Sequence, residues 1–366
     1  MNALDGSRLG FVARPTPFGP AWQRVVPLPA PEPPPRLPTA WAEALGYTHP
    51  GPWAFVDVES TGRRITASTY AFLVGLLVWP AQGAPVLHQW LLPHPADEAA
   101  LWHHLAEQWP RGAVLFTYNG ARFDLPLLEA RGQAVGLTTR PWAQTPHVDL
   151  LPWVRRAFRG AWPDHRLGTA VERLLGRARP ASDVPAAALP DLYHHALLTG
   201  DVTPLAPAVV HNQADLEALA ALWAALGREL ARLPRGRRYP AGTWLSRARL
   251  YRQHGDSTRA RAALERAFRR ARTPEERAQA GLALADAHRR AGDRAAALAV
   301  WEALAAEGVW EAYERRIRAA LRWQKDPDLA RAWLRRAQAH LAAEVTSPLD
   351  RALWAPRFAA LAERLA

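Results

Sequence analysis

The stretch 53-WAFVDVESTG-62 decides how the first half of this chain is read. Trp53 to Val58 is an apolar run of the length and composition of a buried strand, yet Asp57 interrupts it and Glu59 follows two residues later. Side chains at i and i+2 of a strand point the same way, so the two carboxylates project to one side and repel each other unless something positive lies between them. A metal ion meets that requirement. Taken alone, the pair also fits a strand that ends in a solvated turn.

Around this strand the pattern alternates between short apolar runs and amphipathic segments. Strands are expected over 53–58, 71–79, 86–91 and 113–118, and helices over about 97–109, 123–132, 149–158, 167–175 and 209–230. Several strands in succession, then helix, strand and helix, argue for a mixed sheet flanked by helices. The longest apolar run, 71-AFLVGLLVW-79, is too short for a bilayer and suits a buried strand. Residues 1–20 hold no sustained apolar stretch, so no secretory signal and no membrane segment is expected and a cytoplasmic location follows. With no cysteine, disulfides and thiolate metal sites are excluded. No phosphate-binding glycine loop and no nucleophile elbow occurs.

Two further stretches carry chemistry. In 113-AVLFTYNGARFDLPLLEARG-132 a strand delivers Tyr118 and Asn119, Gly120 turns the chain, and Asp124 falls in the first turn of a helix. By itself Asp124 also fits a helix-dipole aspartate, worth about 0.3–1 kcal/mol. In 207-PAVVHNQADLEALAALW-223, His211 and Asp215 are four apart and share a helix face. A surface ion pair is the plain alternative there.

The N-terminal 1–48 reads as a proline-rich extension, extended or loosely ordered, with 28-LPAPEPPPRLP-38 its clearest part. Residues 49–232 form the α/β domain. Beyond it, 233–366 reads as an all-α repeat domain. Aligning Gly255-Asp256 with Gly292-Asp293 places Ala248, Tyr251, Ala260, Leu264 and Ala267 on Ala285, His288, Ala297, Trp301 and Leu304, at a period of 37. A degenerate third copy centres on Lys325-Asp326, with Ala330, Leu334 and Ala337 in register. The pattern resembles the tetratricopeptide repeat, lengthened by a segment such as 271-ARTPEER-277. The net charge of +12 is confined to this region: residues 1–234 carry 19 Arg and Lys against 19 Asp and Glu, and residues 235–366 carry 27 against 15. Such asymmetry points to an anionic partner, nucleic acid above all, although an arginine-rich helical surface alone produces it too.

D-x-E on a first strand, N-x-x-x-F-D at a strand-to-helix junction and H-x-x-x-D on a late helix resemble, in that order, the DEDD 3′–5′ exonucleases of the ribonuclease-H-like superfamily. Within it the chain is similar to the bacterial YprB-type predicted exonucleases, through 149-DLLPWVRRAF-158, 168-GTAVERLLG-176, 183-DVP-185, 191-DLYHHALLTGD-201 and 211-HNQAD-215. The resemblance implies an α/β ribonuclease-H-like domain and two divalent cations, Mg²⁺ or Mn²⁺, held by Asp57, Glu59, Asp124 and Asp215. Asp57 would bridge both ions, Glu59 and Asp215 would hold the ion on the nucleophile side, and Asp124 the other. His211 departs from the family patterns, which place Tyr four residues or His five residues before the last aspartate. As a neutral imidazole it suits a general base; a ligand or a merely polar helix position is the alternative.

Asn119, Phe123, Arg155, Arg156 and Arg159 are candidates for substrate contact, against a turn residue, a core ring and a solvated basic face respectively. Asp149 and Asp183 read as structural hydrogen-bonding groups, and His194 and His195 as a polar helix face. The implied activity is 3′–5′ trimming of single-stranded DNA or RNA, with the basic repeat binding nucleic acid or a partner protein. A structure-specific endonuclease and a catalytically idle scaffold are the alternatives.

Overall fold

The computed structural model describes residues 3–29, 39–177, 184–185, 187–232, 239–343 and 347–365. The chain divides into two compact units, Met1–Arg155 with Trp162–Arg232, and Arg156–Ala161 with Leu233–Ala366.

In the first unit the strands are β1 (Val12–Thr16), β2 (Gly19–Pro27), β3 (Trp53–Ser60), β4 (Ala71–Trp79), β5 (Val86–Leu91), β6 (Val114–Thr117) and β7 (His147–Asp149). They form one mixed sheet in the order β1-β2-β5-β4-β3-β6-β7. β3, β4 and β5 pair antiparallel, and β6 and β7 add parallel to β3 on its other side. Parallel neighbours require a crossover, supplied between β6 and β7 by a helix. The helices are α1 (Ala40–Ala44), α2 (Glu98–Glu107), α3 (Asp124–Ala134), α4 (Leu150–Ala157), α5 (Leu167–Leu175), α6 (Leu189–Thr199) and α7 (Ala206–Ala231).

β4 reads apolar throughout because the sheet is covered on both faces. On one face Ala54, Val56 and Val58 join a core that includes Leu101 and Trp102 of α2, Leu127 and Leu128 of α3, and Tyr193 of α6. On the other, Phe55 and Asp57 face α7. Trp223 of that helix is fully buried among the rings of Tyr47, Trp53, Phe55 and Phe116. Its indole N–H donates to Leu45 O at 2.8 Å, and Tyr47 Oη–H donates to Trp223 O. Burying rings of this size, with both polar atoms paired, clamps the long helix to the sheet.

The described part of the first 48 residues is not a separate extension. β1 and β2 pair with each other and β2 pairs with β5, so they enlarge the sheet. Trp22 and Arg24, read as part of an extended segment, alternate with Ala21 and Gln23 in a half-buried strand. The most proline-rich part, 30–38, and Asp183 lie outside the described residues.

The second unit is helical among its described residues: α8 (Ala241–Gln253), α9 (Ser257–Arg270), α10 (Pro274–Arg290), α11 (Arg294–Ala306), α12 (Trp310–Ala319), α13 (Pro327–Ala342) and α14 (Pro348–Glu363). The three turns aligned in the sequence share one construction. Gly255, Gly292 and Lys325 are left-handed, with φ of +75°, +80° and +54°. The aspartate that follows each one, Asp256, Asp293 or Asp326, caps the next helix by accepting from the N–H three residues on. The in-register residues Ala248, Tyr251, Ala260, Ala285, Ala297, Trp301, Ala330 and Leu334 are buried. Residues 156–161 fall with this unit because buried Arg247 donates to Ala157 O at 2.8 Å and lies over the Phe158 ring.

One glycine governs how α7 meets the sheet. Gly75 sits opposite Asp57 in the β3–β4 pair and opposite Gln89 in the β4–β5 pair. A Cβ there would collide with Asn212 Oδ1 and Leu216 Cδ1 of α7. The Gly75→Ala variant is therefore expected to lose roughly 1–3 kcal/mol of stability through overpacking, read as a lower denaturation midpoint with an unchanged denaturant slope.

Candidate metal-dependent active site

Asp57 and Glu59 occupy the C-terminal half of β3. β6 pairs with β3 only over Trp53, Ala54 and Phe55. Beyond Phe55 the strand edge opens, and the Val58 N–H donates instead to Asp124 Oδ1 at 3.1 Å. Asp124 is the first residue of α3, so its carboxylate stands at the helix N-terminus and against the backbone between Asp57 and Glu59. From α7, buried His211 aims Nε2 at Asp215 Oδ2, 3.5 Å away, and at Glu59 Oε1, 3.9 Å away. Side chains from three distant segments thus meet at the open end of β3.

The electrostatics record how close these groups are. Burial raises the Asp57 carboxyl well above the usual carboxylate range, and the charges of Glu59, Asp215 and Asp124 push it further; only the hydrogen bond from Asn212 opposes the rise. Burial pushes Asp124 up to about 7, with the charge of Asp149 adding to the rise and backbone N–H donors opposing it.

Among the described residues no group of three or more His, Asp or Glu side chains is arranged to hold a metal ion as it stands. The donor set is nonetheless one of hard carboxylate oxygens, from Asp57, Glu59, Asp124 and Asp215. Mg²⁺ and similar ions take one or two carboxylates each and complete their sphere with water and phosphate oxygens. An open half-shell of this kind fits such an ion better than a closed cage.

The remaining sequence candidates divide. Asn119 is exposed and left-handed, with φ of +69°, a conformation asparagine tolerates. Its N–H donates to Asp149 Oδ1 at 2.8 Å. Asp149 also accepts from the N–H groups of Ala121 and Leu151, so it fixes the turn that aims Asp124. Phe123 is half-buried and packs against the core. Arg155, Arg156 and Arg159 are exposed, and among the described residues no hydrogen bond or ion pair joins them to the carboxylates. Arg156 and Arg159 fall in the second unit. His194 and His195 are exposed on α6.

Three residues of the site escaped the sequence reading. Asn212 is fully buried and donates from Nδ2 to Asp57 O at 3.1 Å and Oδ2 at 3.0 Å. Its Oδ1 accepts from Gln89 Nε2 at 2.9 Å, and Gln89 Oε1 accepts from Arg24 at 2.6 Å. Arg24, Gln89, Gly75 and Asp57 lie in one row across four strands, so the network is a product of register. The available signal was Gly75 itself: glycine inside an apolar strand marks a close approach by another group.

Comparison with known proteins gives the class. Residues 54–227 match the family model of the RNase_H superfamily, and this with the mixed sheet and its helices defines a ribonuclease-H-like domain. Over 177 residues the chain is 28% identical to a Bacillus subtilis (strain 168) protein described as "Uncharacterized protein YprB". That match covers 48% of this chain and 42% of the relative, so the chain spans less than half the relative's length.

The raised carboxyls carry a pH signature. In the cation-free protein, Asp124 keeps to about pH 7 a proton that the unfolded chain releases near 3.8. Stability therefore falls as pH rises between those values, by an amount on the order of 1–3 kcal/mol after solvent screening. Melting in EDTA should accordingly show a lower midpoint at pH 7.5 than at pH 5. Asp57→Asn should raise the midpoint at pH 7.5, because it removes a carboxylate that burial and three like charges disfavour.

Proposed function

We propose that the chain is a divalent-cation-dependent nuclease that hydrolyses phosphodiester bonds, trimming single-stranded nucleic acid from the 3′ end. The observation that carries this reading is the convergence of Asp57, Glu59, Asp124 and Asp215 at the open end of one strand, where Asp57 feels all three other charges. Such an arrangement works against folding and is useful only to a site that gathers positive charge. The ribonuclease-H-like domain supports a nuclease-type function and a nucleic-acid substrate.

In this reading the four carboxylates hold Mg²⁺ or Mn²⁺. When bound, the ions supply Lewis-acid polarisation of the phosphate and neutralise charge on the attacking and departing oxygens. Asp57 and Glu59 share a strand face, so their spacing is set by the backbone. Asp124 is held by the Val58 N–H, and Asn212 keeps Asp57 turned toward the others. His211 Nε2, beside Asp215 and Glu59, is placed to take a proton from attacking water. The second unit, which holds the entire excess of positive charge, draws in the polyanion or docks a partner protein. An idle scaffold on the same fold is favoured by one observation, the lack of a ready-made metal group among the described residues. Against it stands the cost of keeping four buried or half-buried carboxylates together.

The deciding assay incubates 5′-labelled single-stranded DNA and RNA with the full chain and Mn²⁺. A ladder shortening from the 3′ end, blocked by a 3′ phosphate and absent in EDTA, is expected. Asp57→Asn should lower the rate on the order of 10³-fold, since losing a metal ligand removes several kcal/mol of charge stabilisation. Cleavage of a circular single strand would assign endonuclease action instead. No Mn²⁺-dependent hydrolysis of any substrate would leave the scaffold.

A further inference from the structure

The second unit contains a cavity of about 680 Å³ between α8, α9 and α10. Arg249 and Arg252 reach it from α8, Arg261 from α9 and Arg290 from α10, with the hydroxyls of Ser257 and Thr258 beside them. The rest of its wall is mostly alanine and leucine, and it holds neither a carboxylate nor an aromatic ring.

The charge of this cavity is unbalanced within its own wall. Several other arginines of this unit have partners: Arg277 with Glu307, Arg318 with Glu314 and Arg331 with Asp328. Among the described residues none of the four groove arginines makes an ion pair or a side-chain hydrogen bond. Four guanidinium groups around one aliphatic-floored hollow, with no counter-charge in its wall, leave an anion as the missing partner.

We propose that this groove binds the phosphate backbone of a single-stranded polynucleotide, independent of base sequence. The anionic character follows from the groove alone; the choice of a polynucleotide rests on the nuclease reading of the first unit. Guanidinium forks match phosphate oxygens in pairs, and a strand with one charge per nucleotide can meet several of the arginines that line the cavity. Single-strand binding that engages the bases stacks them on aromatic side chains, which this wall lacks. The contact is therefore with phosphates, and DNA and RNA of any sequence bind alike.

The test measures binding of the full chain to a fluorescent mixed-sequence single-stranded oligonucleotide in EDTA, across a salt series. The groove variant carries Arg249→Gln, Arg261→Gln and Arg290→Gln. The control carries Arg277→Gln, Arg318→Gln and Arg331→Gln, which removes the same charge outside the groove. Circular dichroism and melting check that both remain folded. Losing three phosphate contacts should weaken binding about tenfold or more and flatten the salt slope by roughly 2, at ~0.7 per single-strand contact. The control should change neither by more than about twofold. Equal losses in both variants, or no loss in the groove variant, would overturn the proposal. So would displacement of the oligonucleotide by poly-glutamate at lower concentration than by unlabelled strand, since that makes the groove a site for acidic peptides. Because no hydrolysis occurs in EDTA, the outcome is independent of the Asp57→Asn rate assay, and either reading can fail alone.

Discussion

The contact on which the first unit depends is that of Asn212 with Asp57 through the gap left by Gly75. A helix laid on a sheet normally meets it through apolar side chains. Here a fully buried amide reaches the strand and must find partners for both its ends, because an unpaired buried polar group costs about 1–3 kcal/mol. Asp57 and Gln89 are those partners, and Arg24 on β2 completes the chain of donors. Four strands must hold their register for this row to exist. The helix that carries His211 and Asp215 is thereby referenced to the strand that carries Asp57 and Glu59.

The same contact explains how a self-repelling group of acids is kept in place. Trp223 and its surrounding rings anchor the C-terminal half of α7 by apolar burial. Stability made there offsets what is given up at the other end of the helix, where burial and like charge raise Asp57 and Asp124. Such separation of a stable anchor from a strained, polar end is how a fold carries a site that folding alone would reject.

The two units rest on different physics. The first depends on pairings between residues far apart in the chain, such as Val58 with Asp124 and Asn212 with Asp57. The second is local: at three of its turns a left-handed residue and a capping aspartate set one helix against the next, and small residues are buried along the helices. Local construction leaves much surface available for charge, and there the arginines accumulate.

The sequence by itself determined the class of fold and most of its elements. β3, β4, β5, α5 and the long helix α7 were legible because burial on one or both faces imposes a period on apolar residues. The three aligned turns were legible because each joins a left-handed residue to a capping aspartate. D-x-E, N-x-x-x-F-D and H-x-x-x-D marked Asp57, Glu59, Asp124, His211 and Asp215, since the spacing of each motif is short enough to constrain a single element. Tertiary structure alone decided the rest. β1 and β2 hid among prolines, and β7 is only three residues long. Asn212, Gln89 and Arg24 look like ordinary polar residues until strand register and helix placement bring them into line. Arg155 and Arg156 are exposed, which suits a phosphate contact and a solvated basic face equally. Periodicity reports which face of an element is buried; it carries no information about which distant side chain will occupy the space opposite a glycine.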